Sequence, residues 1–329
     1  MNIIVIGLGS MGRRRIRLLQ MYDESVHICG VDMQEGRRKQ AEKELGIETK
    51  GDIETACKDS RTDMAFISTS PLSHAAIIRE CLNRNLHVFT ELNLTDKEYD
   101  ANIRLAKEKG RILFLSSTFL YRKEVQYIKN AVKNSGCRLS YLYHAGQYLP
   151  DWHPWESYRN FFVGNKETNG CREFMAIEFP WLLDTFGDVK ELYSISSKNS
   201  TLDIDFPDSY RIMLEHESGH QGMISIDIVS RKAVRNFELS GEKLYLTWDG
   251  TPDGLVCYDY EKKSSVPVSL YESVNKRADY SASIIEDAYL SEIINFMDAV
   301  KGKADARYSF EKDKRILSII DKIEGRQRK

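Results

Sequence analysis

The first third of the chain alternates short apolar runs with helical stretches. Ile3-Ile4-Val5-Ile6 has no polar break, the mark of a strand buried on both faces. A helix is expected from Met11 to about Met21, and Val26 to Val31 reads as the second strand. Glu35 to Leu45 is charged and helical, and Gly46 supplies its stop. Met64 to Ser68 is a third strand with a helix, Ser73 to Leu82, behind it. His87 to Phe89 is a short strand. Thr95 caps a helix from Asp96 to Lys109 that Gly110 ends, and Arg111 to Ser116 closes the series. Strand–helix alternation at this spacing predicts a parallel sheet with helices on both faces.

The pattern changes near Phe119. After a helix from Glu124 to Asn134 and another from Arg172 to Phe186, period-two alternation takes over. Ser209 to Glu215, Gly222 to Val229, Asn236 to Leu239 and Lys243 to Trp248 read as antiparallel strands joined by tight turns. Helices over Ile284 to Val300 and Lys312 to Ile323 finish the chain. With no repeat and no low-complexity linker, the expected division is 1–120 and 121–329, with the C-terminal helices able to pack back on the first domain.

Gly7-Leu8-Gly9-Ser10-Met11-Gly12 fits G-x-G-x-x-G, and its context gives it weight, since it follows a buried-type strand and opens a helix. The first glycine permits the turn, the second lets backbone approach a pyrophosphate, and the third lets helix and strand pack closely. A diphosphate then meets the free N–H groups of a helix N-terminus. Asp32 stands 20 residues beyond Gly12, where an acid accepts from ribose hydroxyls and repels the 2′-phosphate of NADP. NAD is therefore the expected cofactor, with Arg37 and Arg38 the residues that would soften the preference. The fold class that follows is an α/β Rossmann domain, a doubly wound parallel sheet, and then an α+β domain with a large open, mainly antiparallel sheet.

On these residues the chain resembles the Gfo/Idh/MocA family of NAD(P)-dependent oxidoreductases over nearly its whole length. Besides the glycine loop, the resemblance rests on Ser68-Thr69-Ser70-Pro71 with His74, similar to the family's loop beside the nicotinamide. It rests also on the glutamate-headed segment Glu91-Leu92-Asn93-Leu94, on Phe119 to Arg122 at the domain junction, and on Tyr289, Glu292, Phe296 and Asp298 to Gly302 near the end. It implies that Gly7, Gly9, Ser10, Met11, Gly12, Asp32, Ser68, Thr69, Ser70, His74 and Glu91 hold the cofactor. It implies a sugar, polyol or sugar-derived substrate, and a homodimer or homotetramer through the open sheet. The bland reading of His74 is a polar residue at a helix start.

Two departures alter the expected chemistry. The family usually has Glu-Lys-Pro where this chain has Glu91-Leu92-Asn93, and Leu92 cannot move a proton. Aligned on Gly170 and Gly187, Glu178 takes the place of the family's histidine and Trp181 that of its aspartate. The stretch Tyr148 to Glu156, with Thr168 to Glu173, is similar to a subgroup from bacterial surface-sugar pathways, nonulosonic acid types among them. Glu178, His153 and Tyr148 become the candidate proton-transfer groups, and Arg122, Trp155 and Arg172 the candidate substrate contacts. Three functions stay open: net hydride transfer to or from a sugar-type substrate, transient use of NAD for elimination or glycosidic cleavage, and a non-catalytic NAD-binding subunit or sensor.

Composition adds exclusions. Lys+Arg is 47 against Asp+Glu 49, a net charge of −2, so no basic excess points to nucleic acid or an anionic membrane. No apolar run spans a bilayer and no leader pattern opens the chain, so a cytoplasmic location is expected. Six scattered cysteines without a CxxC pair read as reduced thiols. His216-Glu217-Ser218-Gly219-His220 matches H-E-x-x-H, but zinc would need both histidines on one helix face. Ser218-Gly219 instead reads as a hairpin turn, and no metal is expected.

Overall fold

The computed structural model describes residues 1–58, 61–152, 156–275 and 284–326. The chain divides into two compact units: Met1–Thr118 with Ala288–Arg315, and Phe119–Asp287 with Ile316–Lys329. The division runs through both C-terminal helices, α8 (Glu286–Val300) and α9 (Phe310–Ile323).

The first unit is built on a six-stranded parallel sheet. Its elements are β1 (Asn2–Ile6), α1 (Ser10–Tyr22), β2 (His27–Val31), α2 (Glu35–Leu45), β3 (Glu48–Lys50), α3 (Ile53–Ala56), β4 (Met64–Ile67), α4 (Pro71–Asn83), β5 (His87–Thr90), α5 (Tyr99–Lys109) and β6 (Leu113–Leu115). The strand order β3-β2-β1-β4-β5-β6 reverses direction at β1, the switch point where such sheets bind dinucleotides. Helix α2 has the expected bounds, and Gly46 ends it at φ +65. Helix α4 begins earlier than its apolar pattern, with Pro71 preset for the first turn. Helix α5 begins later than expected: Glu98, not Thr95, precedes it, in the left-handed conformation. The short polar edge strand β3 carries no apolar signal and was not expected.

Two features hold the returning α8 against this sheet. Phe66, Phe89 and Phe114 lie side by side on β4, β5 and β6, with ring centroids 4.7 and 5.1 Å apart, and Phe296 of α8 meets all three at 5.3–5.6 Å. Beside them Arg15 of α1, fully buried, forms a fork with Glu91 (2.6 and 3.1 Å) and a second ion pair with Glu292 of α8 (2.7 Å). Glu292 also accepts from the Ser117 N–H (2.6 Å) and the Ser116 hydroxyl (3.1 Å). Burial opposes the charge on Arg15, but the two carboxylates outweigh it and keep the guanidinium protonated. Burial pushes Glu292 up, and Arg15 counters it.

The second unit carries an eight-stranded sheet with α6 (Lys123–Ser135) and α7 (Gly170–Phe186) on one face. Its strands are β7 (Ser140–Gly146), β8 (Val189–Ser197), β9 (Ser209–His216), β10 (Gln221–Asp227), β11 (Val234–Gly241), β12 (Leu244–Trp248), β13 (Val256–Asp259) and β14 (Ser264–Pro267), in the order β14-β13-β12-β11-β7-β10-β9-β8. Among the described residues of this sheet only β7 and β10 pair in parallel, so it is mainly antiparallel, as expected. The covered face buries Tyr141, Tyr143, Ile212, Ile224, Phe237 and Trp248. On the opposite face Tyr193, Met213, Met223 and Leu142 fall on one register line across four strands, each half or more exposed. Asn169 caps α7 by accepting from the Arg172 N–H (2.8 Å).

Replacing Arg15 by Met strands two buried carboxylates without a counter-ion. Breaking a buried pair in this way costs about 3–5 kcal/mol. Urea unfolding should show that loss, and adding Glu91→Gln and Glu292→Gln to Arg15→Met should recover most of it. A single Arg15→Met variant as stable as wild type would contradict the account.

Candidate functional site

In the first unit the glycine loop lies at the switch point, between the ends of β1 and β4. Gly7 has φ +92, and a Cβ there would stand 2.6 Å from the Ser68 carbonyl oxygen. A Cβ on Gly12 would run into the Gly7 carbonyl oxygen. Both glycines are thus required by the turn and by the close approach of α1 to β1. Gly9 is different, because nothing lies within 4 Å of where its Cβ would be. Open space over a backbone position that precedes an uncapped helix, with no acid in the first turn of α1, is what a pyrophosphate needs. Ser10 and Met11 form that first turn.

Asp32 follows β2. Its Oδ2 accepts from the Leu8 N–H (2.9 Å) and its Oδ1 from the Gln34 N–H (2.8 Å), so the carboxylate is fastened to the glycine loop. Arg38 donates to the Asp32 and Met33 carbonyls (2.8 and 3.1 Å), whereas the half-exposed Arg37 approaches Asp32 Oδ2 at 3.8 Å. Across the switch point, Thr69 and Ser73 share a hydroxyl–hydroxyl hydrogen bond (2.7 Å), Ser70 precedes α4, and the Ser68 hydroxyl is buried without a partner. His74 is fully buried, with Nε2 on the Thr69 carbonyl (3.0 Å) and Nδ1 against Asn93 (2.7 Å). Burial lowers its pKa, and the ring braces the Ser68–Pro71 loop from behind through the Thr69 carbonyl. Glu91, bound to Arg15, anchors the segment carrying the half-buried Leu92.

In the second unit three donors converge on Glu178. Tyr143 OH (2.7 Å) and Trp181 Nε1 (2.8 Å) donate to Oε2, and Arg235 Nε (2.8 Å) donates to Oε1. Glu178, expected from alignment to act as a general base, is thus held by three donors, one of them in the Arg235 ion pair. Arg172 is buried between Asp321 (2.8 Å) and Glu324 of the α9 segment. Arg122 is buried on Glu124 (2.7 and 3.0 Å) and the Gly250 carbonyl (3.2 Å). Both guanidinium groups are held in internal ion pairs. Tyr148 is half-buried beneath Arg231, 4.1 Å from its ring centroid. His153 and Trp155 lie outside the described residues.

The H-E-x-x-H segment is a hairpin, with Gly219 at φ +81 between β9 and β10. His216 donates from Nδ1 to the Gly187 carbonyl (2.7 Å) and accepts from Tyr141 OH at Nε2 (2.9 Å), while His220 Nδ1 accepts from the Leu139 N–H (3.1 Å).

Residues 1–117 match the model of the Gfo/Idh/MocA family, described as an oxidoreductase family with an NAD-binding Rossmann fold. These residues belong to that family. Among curated proteins, a myo-inositol 2-dehydrogenase from Thermotoga maritima is 28% identical over 137 residues, 41% of this chain and 41% of that relative. Similar solved structures include a levoglucosan dehydrogenase in complex with NADH and L-sorbose (TM-score 0.80, 15% identity, 98% of this chain and 95% of that one). Another is a UDP-N-acetylglucosamine 3-dehydrogenase from Acidithiobacillus ferrooxidans (TM-score 0.74, 17% identity, 99% and 97%). At these identities the structures establish the fold across both units.

For this Gfo/Idh/MocA domain the residues present fit a dinucleotide: an open backbone over Gly9, an uncapped helix start and a fixed carboxylate after β2. Sequence reasoning passed over Glu173, whose Oε2 is buried without a partner; the acid sits at a helix start, where acids are common, and only its surroundings distinguish it. Gly9→Ala should leave the melting temperature unchanged, since its methyl meets nothing, yet lower NAD affinity at least about tenfold by filling the space a pyrophosphate would take. Calorimetry and a thermal melt decide it; wild-type affinity in the alanine variant would show that the dinucleotide does not pass over Gly9.

Proposed function

We propose that the chain is an NAD-dependent oxidoreductase that moves hydride between the nicotinamide and a carbinol carbon of a sugar or sugar-derived substrate. The observation that carries this reading is Asp32, fastened by Leu8 and Gln34 at the end of β2 beside the Gly9 opening. The Gly7–Gly12 loop and the start of α1 would hold the diphosphate, and Asp32 the adenosine ribose. Ser68, Thr69 and Ser70 would lie along the nicotinamide half. Bound there, the dinucleotide supplies the hydride acceptor or donor. The sugar-type substrate is supported by the relatives, whose names cover a cyclitol, an anhydrosugar and a nucleotide-linked aminosugar. Leu92, in place of a lysine, favours one second reading, a non-catalytic NAD-binding subunit.

We also assign the row Tyr193, Met213, Met223 and Leu142 to contact with a second copy of the chain, because a half-covered sheet leaves this apolar line facing water. Light scattering should give a dimer or tetramer, and Met223→Glu should shift it towards monomer. A wild-type chain that is monomeric at micromolar concentration refutes the assignment.

Asp32 should favour NAD over NADP by roughly 1–3 kcal/mol, the size of one hydrogen bond to a charged group. Calorimetry with both cofactors measures it. Equal affinity would mean that Arg37 turns to meet the 2′-phosphate. NADH formation from a panel of sugars, polyols and nucleotide-linked sugars then tests the activity; a chain that binds NAD and turns over none of them is the non-catalytic subunit.

A further inference from the structure

In the first unit β1, β4, β5 and β6 run in parallel, so their starts share one end of the sheet. The glycine loop follows β1 at the other end. Where β5 and β6 begin, by contrast, the same unit has a cleft of about 470 Å³, inside the range of about 300–1,000 Å³ usual for small-molecule sites. Its walls come from the second half of α5, the run into β6, the end of α8 with the turn after it, and the first turn of α9. Ile103, Ala106, Ile112, Ala299, Ala304 and Phe310 supply apolar lining, and three cations, Lys107, Arg111 and Lys303, face two acids, Asp305 and Glu311.

Arg111 is the unusual member. Its Nε is buried without a hydrogen-bond partner, although buried polar groups are nearly always paired. Its Nη1 lies 3.2 Å from His87 Nε2, and that contact sets donor against donor. His87 Nδ1 accepts from the Ile112 N–H (3.1 Å), so the ring proton sits on Nε2, and a guanidinium nitrogen does not accept. Burial first, and then the charge of Arg111, lower the His87 pKa against the pull of Asp63, which agrees with a neutral ring. Lys107 has a reason to stand in the last turn of α5, at the negative end of that helix. Arg111 lies beyond the helix, and its guanidinium has no acceptor among the described residues.

We infer that this cleft binds a small organic monocarboxylate, its carboxylate taken by Arg111 and its hydrocarbon body laid on the alanine and isoleucine lining. A carboxylate gives the guanidinium the acceptor it lacks, in the strong charge-assisted form. The apolar lining calls for a body that an inorganic ion does not have. Asp305 and Glu311 oppose a second negative charge, which disfavours a dianion such as phosphate. The site uses none of the residues assigned to the dinucleotide and does not depend on the hydride-transfer reading.

Calorimetry on the full-length protein tests it with hexanoate and phenylacetate, with their neutral amides, and with inorganic phosphate. At least one of the two carboxylates should bind saturably, and its amide and phosphate about tenfold more weakly or worse. Arg111→Gln should weaken the carboxylate roughly tenfold to a hundredfold, the worth of a hydrogen bond to a charged group. The same variant should keep wild-type NAD affinity and should not melt earlier than wild type, since it removes a donor–donor contact. Ala304→Phe, at an exposed turn residue, fills the cleft and should abolish binding with Arg111 in place. In ¹⁵N NMR of the wild type, the bound carboxylate should move the Arg111 Nε and His87 Nε2 signals. Saturable binding by neither carboxylate overturns the inference. So does an amide or phosphate that binds as tightly, or wild-type carboxylate affinity in either variant. An Arg111→Gln variant that melts early but binds normally would give Arg111 to the fold instead.

Discussion

The first unit depends on one buried cation shared between two carboxylates. Arg15 lies one turn past Gly12, so the helix that must approach β1 closely is the helix that carries the charge. Through Glu91 it fixes the segment after β5, and through Glu292 it fixes the helix that returns from the far end of the sequence. A buried ion pair is weak evidence for net stability, because desolvation offsets most of its attraction. Its clearer effect here is specificity. A guanidinium fork, two carboxylates and the donors of Ser116 and Ser117 leave α8 one register in which every group is satisfied. The four phenylalanine rings beside it supply the apolar burial that the ion pairs do not.

Charge is handled differently in the second unit. Arg122, Arg172 and Arg235 each meet an acid close by in space, but their partners range from two residues away, for Glu124, to 152, for Glu324. Sequence alone does not reveal such partners. An arginine near a candidate site looks the same whether its partner is a ligand or a carboxylate from a distant helix. Glu178 and Glu173 are the same case for acids: five residues apart on one helix, one held by three donors and the other left with a buried orphan atom.

What could be read from sequence was local. The β1–turn–α1 unit, the acid after β2, the bounds of α2 and the hairpin at His216–His220 depend on neighbours within a few residues, and they form as expected. Strands β7 and β8 escaped because the open face breaks their alternation: Leu142, Tyr193 and Ile195 are apolar yet exposed. Strand β7 is also the one that pairs in parallel with β10, and a parallel neighbour leaves no hairpin turn to reveal it. Helix α5 starts late because Glu98 takes a left-handed conformation, for which a glutamate gives no warning.

The first unit is made from two stretches of chain, and 277 residues separate Arg15 from Glu292. During synthesis the N-terminal stretch emerges first, and the parallel sheet can assemble while the ribosome is still translating the second unit. Until α8 arrives, the edges of Phe66, Phe89 and Phe114 are uncovered and Glu91 is the one carboxylate beside Arg15. The nascent sheet therefore passes through an interval with exposed rings and an incompletely neutralised interior. Loop closure over so long a span is slow compared with local pairing, so the glycine turn after β1 forms before α8 docks.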